Sequence, residues 1–126
     1  MSVTKNYQLG LLVLRVGLAA LMLTHGVPKF LELINGDMGF GDPLGIGAGL
    51  SKILTVFAEF VCSILIILGL RTRLATIPII ITMLVAVFIV HWEDPIGGKE
   101  KALLYLVGFV TVALAGGGKY TIKQLF

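Results

Sequence analysis

Nine polar side chains of this 126-residue chain fall in three short segments that could meet in space: His25, Lys29 and Glu32; His91, Glu93 and Asp94; Glu100, Lys101 and Tyr105. Lysine, tyrosine and histidine donate hydrogen bonds to carbonyl oxygens, and histidine exchanges protons near neutral pH. Beside an apolar slot, such a set suits the headgroup of a quinone. His25, Lys29, His91 and Tyr105 would contact it, and Glu100 could relay a proton. The competing uses are plainer. The same residues could cap helix ends at a membrane interface, or His25 and His91 could join carboxylates around zinc or iron, or ligate a haem. No H-x-x-H or E-x-x-H spacing supports a metal site, so none is assigned. No residue is assigned a catalytic role either, because the chain supplies no redox centre of its own.

Two further charges stand apart. Arg15 and Glu59 interrupt otherwise apolar stretches, and each costs about 2.5–3.5 kcal/mol near the centre of a membrane helix. Arg15 lies eight residues from Tyr7, about 12 Å along a helix, and Glu59 lies twelve residues from Arg71, about 18 Å. On antiparallel neighbours the two would sit about 6 Å apart in depth, so a structural ion pair between Arg15 and Glu59 is expected. Thr55, Cys62 and Ser63 share the Glu59 side of the helix, with Lys52 one turn further out.

The elements that must hold these residues follow from composition. The chain is 57% hydrophobic and 13% charged, with a mean hydropathy of +1.01, whereas soluble domains are about 45–50% apolar and about 25% charged. So small a soluble domain could not bury that much apolar surface. Ten Lys and Arg residues, scattered along the chain, exclude a phosphate-tracking nucleic-acid surface. The lone Cys62 excludes an internal disulfide and C-x-x-C chemistry.

Four apolar stretches, about 7–24, 53–70, 74–90 and 101–115, read as membrane helices, because strands this few could not close a barrel. The first is read as a retained span rather than a signal peptide, since Arg15 breaks its apolar run and no A-x-A site follows. The expected fold is an all-α integral membrane four-helix bundle with antiparallel, up-down spans in a single domain, 1–126. The glycine-rich segment 35–49 is either a flexible outer loop or a lid folded over the end of the bundle by Met38, Phe40, Leu44 and Ile46. Gly69-Leu70-Arg71-Thr72-Arg73 makes a tight hairpin turn. Both termini and that turn share one side, which holds Lys5, Arg71, Arg73, Lys119 and Lys123 and no acidic residue. Both termini are therefore expected in the cytoplasm, with Trp92 at the outer interface.

The order of motifs resembles the DoxX family of small bacterial membrane proteins. Gly26-Val27-Pro28-Lys29 closes the first span, Glu59 stands in the second, and Leu68-Gly69-Leu70-Arg71-Thr72-Arg73 forms the hairpin. Lys99-Glu100-Lys101-Ala102-Leu103-Leu104-Tyr105-Leu106 and the tail Gly116-Gly117-Gly118-Lys119-Tyr120 fit as well. Lys123 departs from the pattern, where an acidic residue is expected. The resemblance covers nearly the whole chain and carries over Gly26, Lys29, Glu59, Arg71 and Glu100. It implies an inner-membrane subunit of a quinone-linked oxidoreductase, with electrons supplied by a protein partner and homo-oligomers allowed. The alternatives are a non-catalytic scaffold for a redox or stress-response enzyme and a small transporter subunit. An ion pathway is poorly supported, because the third span carries no charge.

Overall fold

The structure, a computed structural model, describes residues 3–122. It is all-helical, with no strand among the described residues. Four helical rods follow one another: α1 (Val3–Ile34), α2 (Ala48–Leu68), α3 (Thr72–Val90) and α4 (Ile96–Ala115). Three of them, α1, α2 and α3, are long and apolar enough to cross a membrane. The fourth carries Lys99, Glu100 and Lys101 in its first turns before its apolar run. Contacts run from α1 to α2, α2 to α3, α3 to α4 and back from α4 to α1. Ala19, Met22, Ala58, Cys62, Ile66, Ala75, Ile79, Met83 and Phe109 fill the centre. Large apolar side chains such as Val13, Leu21, Ile53, Ile81, Phe88 and Leu104 point outward on every rod, an arrangement that water would penalise and lipid would accept.

The helices extend past the limits expected from hydropathy. α1 continues beyond Thr24 to Ile34, so at about 1.5 Å per residue it is about 48 Å long, longer than a hydrocarbon core of about 30 Å. Pro28 lies inside it without ending it. A proline lacks the N–H that would meet the carbonyl one turn back, and Thr24 at that position turns its hydroxyl to the Leu21 carbonyl at 2.6 Å. α4 begins at Ile96, directly after Pro95.

Between α2 and α3 the chain reverses in a Schellman turn. The Gly69 N–H donates to the Ile66 carbonyl and the Leu70 N–H to the Leu65 carbonyl, with Gly69 at φ 76, a conformation that favours glycine. Two π-helical turns, Phe57–Val61 in α2 and Ala86–Val90 in α3, interrupt the α-helical register. Such turns insert one residue and re-aim the side chains around them.

The expected Arg15–Glu59 pair does not form. Arg15, 2% exposed, donates to the carbonyls of Gly117 at 2.7 Å, Tyr120 at 2.8 Å and Ile67 at 3.3 Å. It therefore fastens the tail after α4 to the hairpin end of α2. Gly26, not Arg15, lies opposite Glu59: a Cβ added at Gly26 would meet the Glu59 carbonyl oxygen at 2.5 Å. Eleven residues of α1 separate the two positions, about 16 Å along the axis. Tyr7 and Arg71 do not lie at equal depth: α1 begins further outside the packed region than α2 ends, so Arg15 reaches the level of Ile67 and Gly26 that of Glu59. Lys123, the departure noted in the tail, lies outside the described residues.

The 35–47 connection is anchored at both ends. Lys52, whose side chain is fully buried, donates to the carbonyls of Asp37 at 2.8 Å and Gly39 at 3.2 Å and pairs with Glu32 at 3.1 Å. Asp42 accepts from the backbone N–H groups of Ile46 and Gly47, each at 2.9 Å, and from the Ser51 hydroxyl at 3.1 Å. These bonds, led by that from Gly47, hold the Asp42 carboxyl below the usual carboxylate range. The connection is thus a fastened cover over the start of α2 rather than a free loop.

Candidate functional site

Close approach of α1 and α2 builds the floor of the site. Only a glycine at position 26 leaves room for the π-helical backbone at Glu59 and Phe60. One turn beyond it, Lys29 reaches across to the Glu59 carboxylate. Its Nζ donates to both oxygens, at 2.7 and 3.0 Å. The Glu59 side chain is 5% exposed and that of Lys29 30%. Phe30 stacks on Phe60 at 4.2 Å between ring centres, which packs the two helices just beyond the ion pair.

Above this floor lies a cavity of about 220 Å³ to which all four rods contribute. α1 supplies Met22, His25 and Lys29, α2 supplies Glu59, and α3 supplies Met83 and Ala86. His91 enters from the connection after α3, and α4 lines the remaining wall with Gly98, Lys101, Ala102 and Tyr105. The α4 set recurs at helical spacing on one face. The His25 and Tyr105 rings meet edge-on at 5.8 Å. His91 shares a 2.7 Å contact with Asp94 through Nδ1, which leaves its Nε2 for another partner. Lys99 turns away, donating to the Trp92 carbonyl and lying 5.1 Å from the Trp92 ring centre.

Of the five residues expected to contact a ligand, His25, Lys29, His91 and Tyr105 line this cavity. Glu100 does not: it is exposed and sits one position off the α4 face that carries Lys101 and Tyr105. Lys101, the next residue, lines the cavity, and Glu59 joins it from the interior. The spacing of positions 98, 101, 102 and 105 carries the signal for Lys101 in the sequence. Glu59 has no such signal, because its partner depends on the register of α1 against α2. Among the described residues no group of three or more His, Cys, Asp or Glu side chains could hold a metal ion.

The site combines a short, partly buried ion pair, two imidazoles, a phenol and a second ammonium around methionine and alanine side chains. It can donate hydrogen bonds from several directions to a small polar group, and His91 stands where the cavity borders solvent. The fold and site define a small polytopic membrane protein with a half-open cavity of mixed polar and apolar lining between its helices. The chain belongs to the DoxX family, whose pattern matches residues 10–92. It is 35% identical over 124 residues to an uncharacterized protein of Haemophilus influenzae, with 90% of this chain and 87% of the relative covered. It is 26% identical over 113 residues to the "Putative oxidoreductase CatD" of Bacillus subtilis, with 89% and 83% covered. No solved structure matches the chain.

Proposed function

We propose that this chain is an inner-membrane subunit of a quinone-linked oxidoreductase and that its cavity holds a quinone-type headgroup near the outer face. The supporting observation is the convergence of His25 and Lys29 from α1, Lys101 and Tyr105 from α4, and His91 from the connection between α3 and α4 on one slot floored by Glu59. In this reading the four rods cross the bilayer as an antiparallel up-down bundle with both termini in the cytoplasm, and the basic Arg71/Arg73 turn faces inward. The name of the Bacillus relative is consistent with an oxidoreductase setting.

The chemistry divides between two proteins. Reduction of a quinone to a quinol adds two electrons and two protons, and both carbonyl oxygens become hydroxyls. A partner oxidoreductase supplies the electrons. This chain holds the headgroup: Lys101 and Tyr105 donate to one side of it, while His25 and Lys29 offer donors from α1. His91 stands at the solvent border and passes protons, with Asp94 fixing its Nδ1. Met22, Met83 and Ala86 supply the apolar walls.

Trp92, the chain's one tryptophan, follows His91 directly and provides the test. A short-chain quinone titrated into the purified protein should quench its fluorescence saturably. His91→Ala and Lys101→Gln should each weaken binding about five- to thirty-fold, the loss of one hydrogen bond of about 1–2 kcal/mol. Quenching that never saturates, or that is identical in both variants, would leave a non-catalytic scaffold as the better description.

A further inference from the structure

At the end of α3 remote from the cavity, two grooves flank its first turns. One, of about 320 Å³, lies between α2 and α3 and is walled by Phe57, Leu65, Pro78 and their neighbours. The other, of about 450 Å³, lies between α3 and α4 and includes Ala113. Leu74 and Ile77 wall both grooves, so one ridge of side chains separates them. Each groove contains a single charged residue: Arg71 in the first and Arg73 in the second. The two arginines are two positions apart in the hairpin turn, so their backbones lie within about 7 Å of each other.

Neither guanidinium has a strong partner among the described residues. Arg71 makes no side-chain hydrogen bond or ion pair, and Arg73 makes one long hydrogen bond, 3.4 Å to the Leu114 carbonyl. All seven Asp and Glu residues of the chain lie away from this turn. Arg71 is also the one described residue other than glycine at positive φ, 49, a conformation that glycine or asparagine adopts at lower cost. The molecule thus presents two adjacent cations at the rim and two apolar channels running from them along a lipid-facing helix.

We propose that this is a binding site for one anionic glycerophospholipid, with its phosphate between Arg71 and Arg73 and one acyl chain in each groove astride the Leu74–Ile77 ridge. Charge complementarity selects the headgroup, since paired cations with no Asp or Glu side chain beside them among the described residues favour a lipid of net negative charge over a zwitterionic one. The position of the grooves selects a two-chain lipid over a soluble anion, because the apolar channels begin where the arginines end.

The full chain in nanodiscs of equal phosphatidylglycerol and phosphatidylcholine, with matched acyl chains, provides the test. Lipids retained by the released protein are counted by mass spectrometry. About one phosphatidylglycerol per chain should be retained, enriched by about 25-fold if each arginine contributes about five-fold. Arg71→Gln with Arg73→Gln should abolish the preference, and Arg71→Lys with Arg73→Lys should keep much of it. Leu74→Trp, which crowds both grooves with the charge intact, should reduce retention. Lys119→Gln, a charge loss on the same side of the protein but outside the grooves, should retain the lipid as the wild type does. Equal retention of the two lipids, an effect of Lys119→Gln as large as that of the double glutamine variant, or a second copy of the chain held in place of lipid would each overturn the proposal.

Discussion

Removing the Lys29 ammonium should destabilise the protein more than any other single charge removal around the cavity. In Lys29→Met the Glu59 carboxylate, 5% exposed, loses a donor that now contacts both of its oxygens at 2.7 and 3.0 Å. Breaking a buried ion pair costs about 3–5 kcal/mol. The lysine is 30% exposed, which lets water soften the loss and places it near the lower end, about 3 kcal/mol. At about 4 °C per kcal/mol for a chain of this size, the unfolding midpoint should fall by about 12 °C. Circular dichroism at the helical band, recorded on heating in detergent, measures it. Glu59→Leu added to Lys29→Met should recover most of the loss, because both charges are then absent. Arg15→Met combined with Glu59→Gln should instead show simple additivity, since about 16 Å of helix separates those two positions. A Lys29→Met midpoint equal to wild type, or strong coupling between Arg15 and Glu59, would refute the pairing assigned here.

Three further outcomes follow from the packing. Gly26→Ala would drive a methyl into the Glu59 carbonyl, 2.5 Å away, so the α1–α2 contact must open; a loss of about 1–3 kcal/mol in the same melts is expected. Arg15→Met leaves three carbonyls without their donor, and proteolysis should then cut within 116–122 under conditions where the wild type resists. The depressed carboxyl of Asp42 stabilises the cover segment above the unfolded value of about 3.9, and that contribution is lost as pH falls through the lower folded value. Amide protection at Ile46 and Gly47, corrected for intrinsic exchange, should hold down to about pH 4 and drop below it, whereas Asp42→Ala should lack that protection already at neutral pH.

The helical class and the membrane setting were legible from hydropathy, because apolar runs of this length have no soluble alternative. The cluster of His25, Lys29, His91 and Tyr105 was legible too, since each falls near the same end of an apolar run. Helix ends were less so: Pro28 suggests a stop, yet the helix continues through it to present Lys29. Lys101 lines the cavity where Glu100 does not, because it shares the α4 face of Gly98, Ala102 and Tyr105. The partners of Arg15 and Glu59 depended on a register set by Gly26 against a π-helical turn, and the apolar run Phe57–Val61 gives no sign of that turn beforehand. The polar stripe of Lys52, Thr55, Glu59, Cys62 and Ser63 implied an inward-facing Lys52, as found, but its partners were hidden, because they are mainly backbone carbonyls of a glycine-rich connection. Those carbonyls become acceptors only after the connection has folded over α2.

Photolabelling with an azidoquinone on the purified chain tests the cavity assignment most directly. Peptide mapping should find the label in the segments 22–29, 83–91 and 98–105, and an excess of unlabelled quinone should remove it. Label confined to the grooves beside Leu74 and Ile77, or label that unlabelled quinone does not displace, would contradict a headgroup site between the helices.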